Sequence, residues 1–399
     1  MGFCMGYCER VLLMVKWKQS RRGYFYMDEK RSAFFTIMLL SAIILIFTAA
    51  DFIQRDRTFS ETENKLLADR PEWSWDSLIE GKYTRDYETY LTEQFVGRDK
   101  WITVKTYLDL ALQKQEINGV YLGADGYLIE QHLPGTYTDV EETKKLLLLE
   151  KLVKRWDADV MLVPTADNIL TDKMPLWAPY YDQAAFLEKA ALQLGSEHYI
   201  DVYSALRRHA GEEIYYRTDH HWTTLGAWYG YLAWAESLGR RGDLYGKNAM
   251  QPVTAEFLGT LQSKVNLDVQ ADSIFWFPET AEYPVTVTYD LKDIRNSCYE
   301  ESYLKTKNKY GFFLDDNHAF IEIDTDYHNG KTLFVIKDSY ANCFVPMLIP
   351  YYEKIYVMDL RYFNGRLFRF MEGYEPEEGM DVLVLYNCIH FLEDFAYLE

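Results

Sequence analysis

TLFVIKDSY, residues 332–340, is the stretch on which the fold turns. Thr332 to Ile336 run without the polar alternation of a half-exposed strand, so they read as a strand buried on both faces. Lys337-Asp338-Ser339-Tyr340 stand where the chain turns, and residues 337–349 read as a turn and a helix, shortened or kinked by Pro346. Strand, turn and helix in that order are the unit of a helix-covered parallel sheet. Working outward, further short apolar strands are expected at Lys354 to Met358 (KIYVM) and Asp381 to Tyr386 (DVLVLY). Upstream they are expected at Asp159 to Pro164 (DVMLVP) and His198 to Tyr203 (HYIDVY). Helical periods over 140–156, 182–194 and 224–238 alternate with them. The expected class is α/β, a sheet of mainly parallel strands with helices on both faces.

Residues 240–330 break this rhythm. SIFWFP (273–278), VTVTYD (285–290) and AFIEID (319–324) are β-like runs, read as a β-rich insertion with its own strands. Residues 118–239 and 331–399 are then two parts of one domain. Residues 51–117 read as a polar stalk followed by a helical region at 76–115. GVYLGADGYLIE (119–130) reads as a hairpin, two apolar runs around Gly123-Ala124-Asp125-Gly126.

Ala33 to Ala50, AFFTIMLLSAIILIFTAA, carry no charge over 18 residues. At 1.5 Å per residue a helix of this length covers about 27 Å, close to the hydrocarbon core of a bilayer. The apolar region of a cleavable signal is usually only about 7–15 residues, and Asp51-Phe52 follow without a clear cleavage site. An uncleaved transmembrane anchor over 33–50 is expected. Residues 1–32 hold seven Lys/Arg against three acids. That basic flank places the N-terminus in the cytoplasm and the rest outside it. The remaining chain has 35 basic and 58 acidic residues, and the whole carries a net charge of −19. Such a balance argues against a nucleic-acid partner, which requires a basic footprint. Three cysteines (Cys298, Cys343, Cys388) follow the apolar run, an odd number for a disulfide framework, and buried thiols are the expected state.

Two places hold chemistry-bearing residues. One is Thr218-Asp219-His220-His221-Trp222-Thr223-Thr224-Leu225-Gly226-Ala227, opening a helix; the other is Lys337-Asp338-Ser339-Tyr340. A serine is a weak nucleophile until a base takes its proton, and the base needs an acid to orient it. Asp219 and His221, two apart, share a face in extended backbone. Ser339 at the carboxyl end of a strand stands where α/β sheets place ligand sites. Taken singly, Ser339 or Asp219 also fits a helix cap. His220 and His221 with Asp219 also fit a metal site, but no further ligand cluster accompanies them, and neither a metal nor a cofactor is expected.

TDHHWTTLGAW (218–228) resembles the signature of the DHHW protein family and is similar to the Asp-x-His-Trp-Thr motif of the alginate O-acetyltransferase relatives. FSETENKLL (59–67), FVGRD (95–99), NGVYLGADGYLIE (118–130) and IKDSY (336–340) carry the resemblance further. It implies an SGNH-hydrolase-like fold, circularly permuted so that the Asp/His block precedes the Ser block. It also implies Ser339 as nucleophile, His221 as base and Asp219 as its orienter. By position, Gly365 and Asn387 match the glycine and asparagine of the usual oxyanion hole. Asp338, His220 and Trp222 lie nearby without an assigned role, and Lys337 replaces the glycine that usually precedes the Asp-Ser pair. The implied activity is O-acetyl transfer or esterase action on a cell-surface polysaccharide through an acyl-serine, with a membrane-bound acyltransferase as acyl donor. The competing readings are a non-catalytic glycan-binding or assembly module, favoured by the aromatic-rich 240–330 segment, and a metal-dependent enzyme using His220 and His221.

Overall fold

The computed structural model describes residues 29–60, 65–239, 244–374 and 379–396. The basic segment expected to be cytoplasmic lies outside these residues apart from its last four positions. The chain divides into two units, residues 1–58 with 67–98 and residues 59–66 with 99–399.

The first unit contains a helix, Glu29–Ile53, whose stretch Arg31–Asp51 has a mean hydropathy of 2.5 and buries none of it in protein. It is long and apolar enough to cross a membrane. In the same unit Gln94 ends the helix Lys82–Gln94 and is buried. Its amide donates to the carbonyls of Arg57 (2.8 Å) and Ala68 (3.1 Å), so the buried polar side chain is satisfied by two segments distant in sequence.

The second unit is built on a seven-stranded sheet. Its strands in chain order are β1 (Asp159–Val163), β2 (Val285–Tyr289), β3 (Asp293–Arg295), β4 (Phe320–Thr325), β5 (Thr332–Lys337), β6 (Lys354–Asp359) and β7 (Asp381–Asn387). Across the sheet they run β3-β2-β4-β6-β5-β7-β1. The pairings β6–β5, β5–β7 and β7–β1 are parallel, whereas β3–β2, β2–β4 and β4–β6 are antiparallel. The expectation of a mainly parallel sheet is therefore corrected to a mixed one. The physical cause lies in the 240–330 segment. Asp290 and Leu291 take positive φ and turn β2 straight back into β3, which only an antiparallel pair allows.

The parallel half is buried on both faces. Leu333, Val335, Ile355, Val357, Leu383 and Leu385 point to one side, where α3 (Val202–Arg208) and α4 (Thr224–Ser237) contribute Val202, Leu206, Ala227 and Trp234. Phe334, Ile336, Met358, Val382 and Val384 point to the other. They meet α1 (Asp139–Trp156), α2 (Gln183–Leu194) and α5 (Cys388–Asp394) through Leu149, Phe186 and Phe391. Each such side chain contributes roughly 1.5–3 kcal/mol on burial. The α1 boundary follows from its caps: Thr138 and Glu141 form a reciprocal capping box, and Asp157 ends the helix in the left-handed region.

Two local expectations differ from what forms. HYIDVY makes only one bridge, Val160 to Tyr199, before α3 begins, because Asp201 accepts from Ser204 N and caps a helix. After Ser339 the chain makes two 3-10 stretches, Ser339–Cys343 and Val345–Tyr351, in place of one helix. Pro346 and Pro350 withhold the donors an α-helix needs there. The hairpin forms as expected, Val120–Leu122 against Leu128–Glu130. Cys298, Cys343 and Cys388 are buried free thiols.

Leu385 lies in a central strand with no exposed surface. Leu385→Ala is expected to lower unfolding free energy by about 2–5 kcal/mol, read as a shifted urea midpoint at unchanged slope.

Candidate active site

β5 ends at Lys337, and Asp338 caps the turn that follows. Its Oδ1 accepts from Tyr340 N at 2.9 Å, which starts the 3-10 turn with Ser339 at its head. Its Oδ2 accepts from the backbone N–H (3.0 Å) and the side-chain amide (2.7 Å) of Asn387 and stands 2.9 Å from His390 Nδ1. The Asp338 carboxylate thus ties the end of β5 to the start of α5. Burial works to raise its pKa, but the His390 hydrogen bond and charge outweigh it and hold it down at about 2.

The Thr218–Thr223 segment arrives from the other side of the fold. Asp272 accepts from Arg217 N (3.0 Å), Thr218 N (2.8 Å) and Thr218 Oγ1 (2.6 Å), pinning its entrance. Thr223 caps α4 by accepting from Gly226 N at 3.2 Å, fixing its exit. Between these pins, His221 Nδ1 lies 2.5 Å from Asp219 Oδ1 and His221 Nε2 lies 2.8 Å from Ser339 Oγ. Asp219 Oδ2 accepts from Thr260 N (2.8 Å) and Thr260 Oγ1 (3.0 Å). The three residues are nearly buried. Burial pushes the Asp219 carboxyl up, yet the His220 and His221 imidazoles and the hydrogen bonds hold it well below the usual carboxylate range. An ionised Asp219 only accepts, so His221 Nδ1 donates to it and Nε2 accepts the Ser339 hydroxyl proton. A hydroxyl bonded to an imidazole that is itself bonded to a carboxylate can give up its proton to an electrophile's approach.

The two segments are laced together. Trp222 Nε1 donates to Tyr340 O at 2.8 Å, and Tyr340 O–H donates to His220 O. The His221 ring stacks on Tyr310, centroids 4.1 Å apart, and the Tyr310 hydroxyl donates to Ser339 O at 3.2 Å. Gly259 lets the Thr260 backbone come this close: a Cβ there would stand 2.2 Å from Asp219 Cβ. His220 Nδ1 lies 2.8 Å from Thr260 Oγ1. Burial first, then His221, lowers the His220 pKa to about 4.

Sequence reasoning brings Ser339, His221 and Asp219 together, with Asp338, His220 and Trp222 around them. It does not bring Gly365 and Asn387 to the hydroxyl. Neither lines the cavity of about 500 Å³ onto which Ser339, Asp219 and His221 open. Asn387 donates an amide hydrogen to Asp338, and its carbonyl caps α5 through Ile389 N and His390 N. Arg361 and Asn317 line that cavity instead. Lys337 pairs in register with Asp359, so Ser339 and Arg361, each two residues further on, stand at the same sheet edge. Asp359 clamps the Arg361 guanidinium through Nε (2.9 Å) and Nη2 (2.6 Å). Asn317 Oδ1 accepts from Arg361 Nη2 (3.3 Å), Lys337 Nζ (3.4 Å) and Asn342 Nδ2 (3.4 Å), which turns the Asn317 amide nitrogen away from them. Thr260, Tyr310, Asn317 and Arg361 were not singled out from the sequence. Three of them lie in the 240–330 segment, which reads as a separate insertion, and Arg361 follows a strand with no motif around it.

The DHHW protein family matches residues 159–358. No curated protein matches the chain. Among solved structures, it resembles a DHHW family protein from Eubacterium siraeum at 24% identity and TM-score 0.55, covering 69% of this chain and 93% of that one. It also resembles Bacillus cereus PatB1 with a sulfonyl adduct, at 19% identity and TM-score 0.55, covering 70% of this chain and 98% of that one. A second PatB1 structure aligns at 19% identity and TM-score 0.54, covering 68% and 97%. With the family match spanning residues 159–358, this chain belongs to the DHHW protein family.

Proposed function

We propose that the chain is a membrane-anchored serine O-acyltransferase or esterase acting outside the cytoplasm on acetyl groups of a cell-surface or exopolysaccharide. The observation that carries this reading is the unbroken path from Ser339 Oγ through His221 to Asp219, at 2.8 and 2.5 Å. On this reading the fold is a circularly permuted SGNH-like domain, with the Asp/His block ahead of the Ser block. The helix Glu29–Ile53 is the anchor, the N-terminus is cytoplasmic, and a membrane-bound acyltransferase supplies the acyl group. The sulfonyl adduct belongs to the PatB1 structure; it makes sulfonyl reagents a natural probe here.

As Ser339 Oγ attacks the ester carbonyl, its proton passes to His221 Nε2, and Asp219 stabilises the imidazolium. The carbonyl oxygen becomes an oxyanion. The Ser339 N–H heads a 3-10 turn, and no acceptor is assigned to it among the described residues. Arg361 Nη1 likewise has no partner among them, and Arg361 lines the same cavity. These two donors take the role that position alone had given to Gly365 and Asn387. Collapse of the tetrahedral intermediate breaks the bond between the acetyl group and the acyl donor and returns the proton from His221 to the donor's leaving atom, which is a sugar oxygen in the esterase reaction, leaving an acetyl-serine. A sugar hydroxyl or water then repeats the sequence in reverse.

Two outcomes are expected. With the full chain in detergent and a small acetyl ester, Ser339→Ala, His221→Ala and Asp219→Ala each lose activity by ~10³-fold or more, and the losses are not additive. A sulfonyl fluoride labels Ser339 in wild type only. Equal turnover of wild type and Ser339→Ala would instead favour a binding or assembly module or a different nucleophile.

Arg361→Lys keeps the charge but loses the planar fork on Asp359. It is expected to lower kcat by about 10²–10³-fold with KM little changed; an unaltered kcat removes Arg361 from the oxyanion role.

Acid sets the lower limit of assembly. Asp338 has a folded pKa of about 2, below its ordinary 3.8. Its stabilisation is complete above that ordinary value and is lost as pH falls through the folded one. Between pH 4 and 2 the melting temperature of wild type is expected to fall more steeply than that of Asp338→Asn, followed by circular dichroism.

A further inference from the structure

FVGRD, residues 95–99, carries the family resemblance but plays no part in the serine site. Phe95 and Val96 lie in the unit that holds the apolar helix Glu29–Ile53. Along the apolar stretch Ala33 to Ala50, only Phe47 and Ala50 are partly covered, both near its C-terminal end. The Phe95 ring stacks on Phe47, with centroids 5.5 Å apart.

A ladder of contacts sets how far this segment reaches along the apolar helix. Tyr90 O–H donates to Asp56 Oδ1 at 2.9 Å. Four residues on, Gln94 Oε1 accepts from Arg57 N (3.0 Å) and Gln94 O accepts from Gln54 Nε2 (2.9 Å). Val96 N donates to Asp51 Oδ1 at 3.0 Å. Phe95 reaches furthest, to Phe47, which stands four residues and about 6 Å of helix inside Asp51. The helix Lys82–Gln94 therefore meets the apolar helix with its C-terminal end. Gly97, at a φ of 67°, turns the chain directly after Val96, so Phe95 and Val96 form the tip.

The backbone of that tip is paired with protein. Val96 N–H is taken by Asp51, and Gln94 O by Gln54. Phe95 O accepts from Arg98 N at 3.0 Å, and Thr92 O accepts from Arg98 Nη1 at 2.9 Å. Yet Phe95 and Val96 are only half-buried, and Leu91, one turn before Phe95, is exposed. A loop facing water can leave such polar groups to the solvent. In hydrocarbon each needs a partner from the protein. Here the polar groups turn inward onto the end of the apolar helix and the apolar side chains are left outside.

We propose that Phe95 and Val96, with Leu91, form a wedge that seats in the acyl-chain boundary of a phospholipid bilayer, beside the point where the helix Glu29–Ile53 leaves it. The proposal rests on the anchor reading given above. Aromatic and aliphatic side chains favour that zone. The tilt and rotation of a spanning helix are set by packing and by interfacial anchors, and a wedge clasped to the helix end supplies both.

The test uses the full chain in phosphatidylcholine nanodiscs. Cys4→Ser and Cys8→Ser leave only the buried Cys298, Cys343 and Cys388 as native thiols. An environment-sensitive fluorophore is attached at Leu45→Cys, Phe95→Cys or Val96→Cys, one per protein, and its emission is compared in ordinary lipid and in lipid brominated on its acyl chains. Leu45 reports on the anchor. Val96→Cys keeps the Phe95 ring, should its removal loosen the segment. All three probes are expected to show blue-shifted emission and to lose most of it in brominated lipid. Loss at Leu45 and at either tip position supports the wedge. Loss at Leu45 with full emission at both Phe95 and Val96 overturns the wedge and leaves the anchor standing. Full emission at Leu45 overturns both.

Discussion

Two buried hydrogen bonds hold the candidate site in shape: Trp222 Nε1 to Tyr340 O, and Tyr340 O–H to His220 O. They join segments more than a hundred residues apart, and each donor would be costly to leave unpaired in the core. Because the bonds run in opposite directions, sliding one segment past the other breaks both. His221 lies between their anchor points, so its Nε2 has little choice but to meet Ser339 Oγ. The same pair explains the 3-10 turn after Ser339. An α-helix would have Tyr340 O accept from Phe344 N; here that carbonyl is committed to Trp222, and Phe344 N turns to Ala341 O. The tighter turn keeps Ser339 at the sheet edge.

Asp338 supplies the second constraint. Its two oxygens serve different elements, Oδ1 the serine turn and Oδ2 the N-terminus of α5 with His390. Asn387 serves this lock, donating to Asp338 and capping α5 with its carbonyl, and it does not line the serine cavity. A strand-end asparagine can donate to a substrate or hold a neighbouring carboxylate, and here it holds the carboxylate of Asp338. The residue type and its place after β7 were legible; which demand won was set by a histidine three residues on.

Legibility elsewhere followed burial. The four parallel strands are apolar runs and were read to within a residue or two, because burial on both faces leaves little freedom of composition. The motif carrying Asp219 and His221 was legible because chemistry restricts it as strongly as packing restricts a core strand. What failed was longer-range. VTVTYD carries the alternation of an antiparallel strand with one wetter face, but nothing local says that it pairs onto the sheet that also holds TLFVI. Since β2, β3 and β4 do so, the chain between β3 and β4 delivers Tyr310 and Asn317 to the cavity, and Thr260 comes from the helix Thr260–Val265 ahead of β2. Those residues look ordinary in sequence. Thr260 is marked only by the preceding glycine, and Gly259 acquires meaning only against the Asp219 side chain it makes room for.

Lys337 poses the energetic question. It is fully buried, as is Asp359, and burial lowers the pKa of its ammonium against the raising effect of Asp359. A buried ion pair rarely stabilises more than a well-packed apolar pair of the same volume, so stability alone does not account for a lysine at this position. What an apolar residue could not do is donate. Lys337 Nζ reaches Asn342 Oδ1 at 2.7 Å, Asp359 Oδ2 at 3.3 Å and Asn317 Oδ1 at 3.4 Å. Through these bonds it shares Asp359 with Arg361, leaving two cations on one carboxylate directly behind the serine turn. Asp338, also buried, acts on both cations as well, so the charges behind the serine turn are two cations facing two carboxylates.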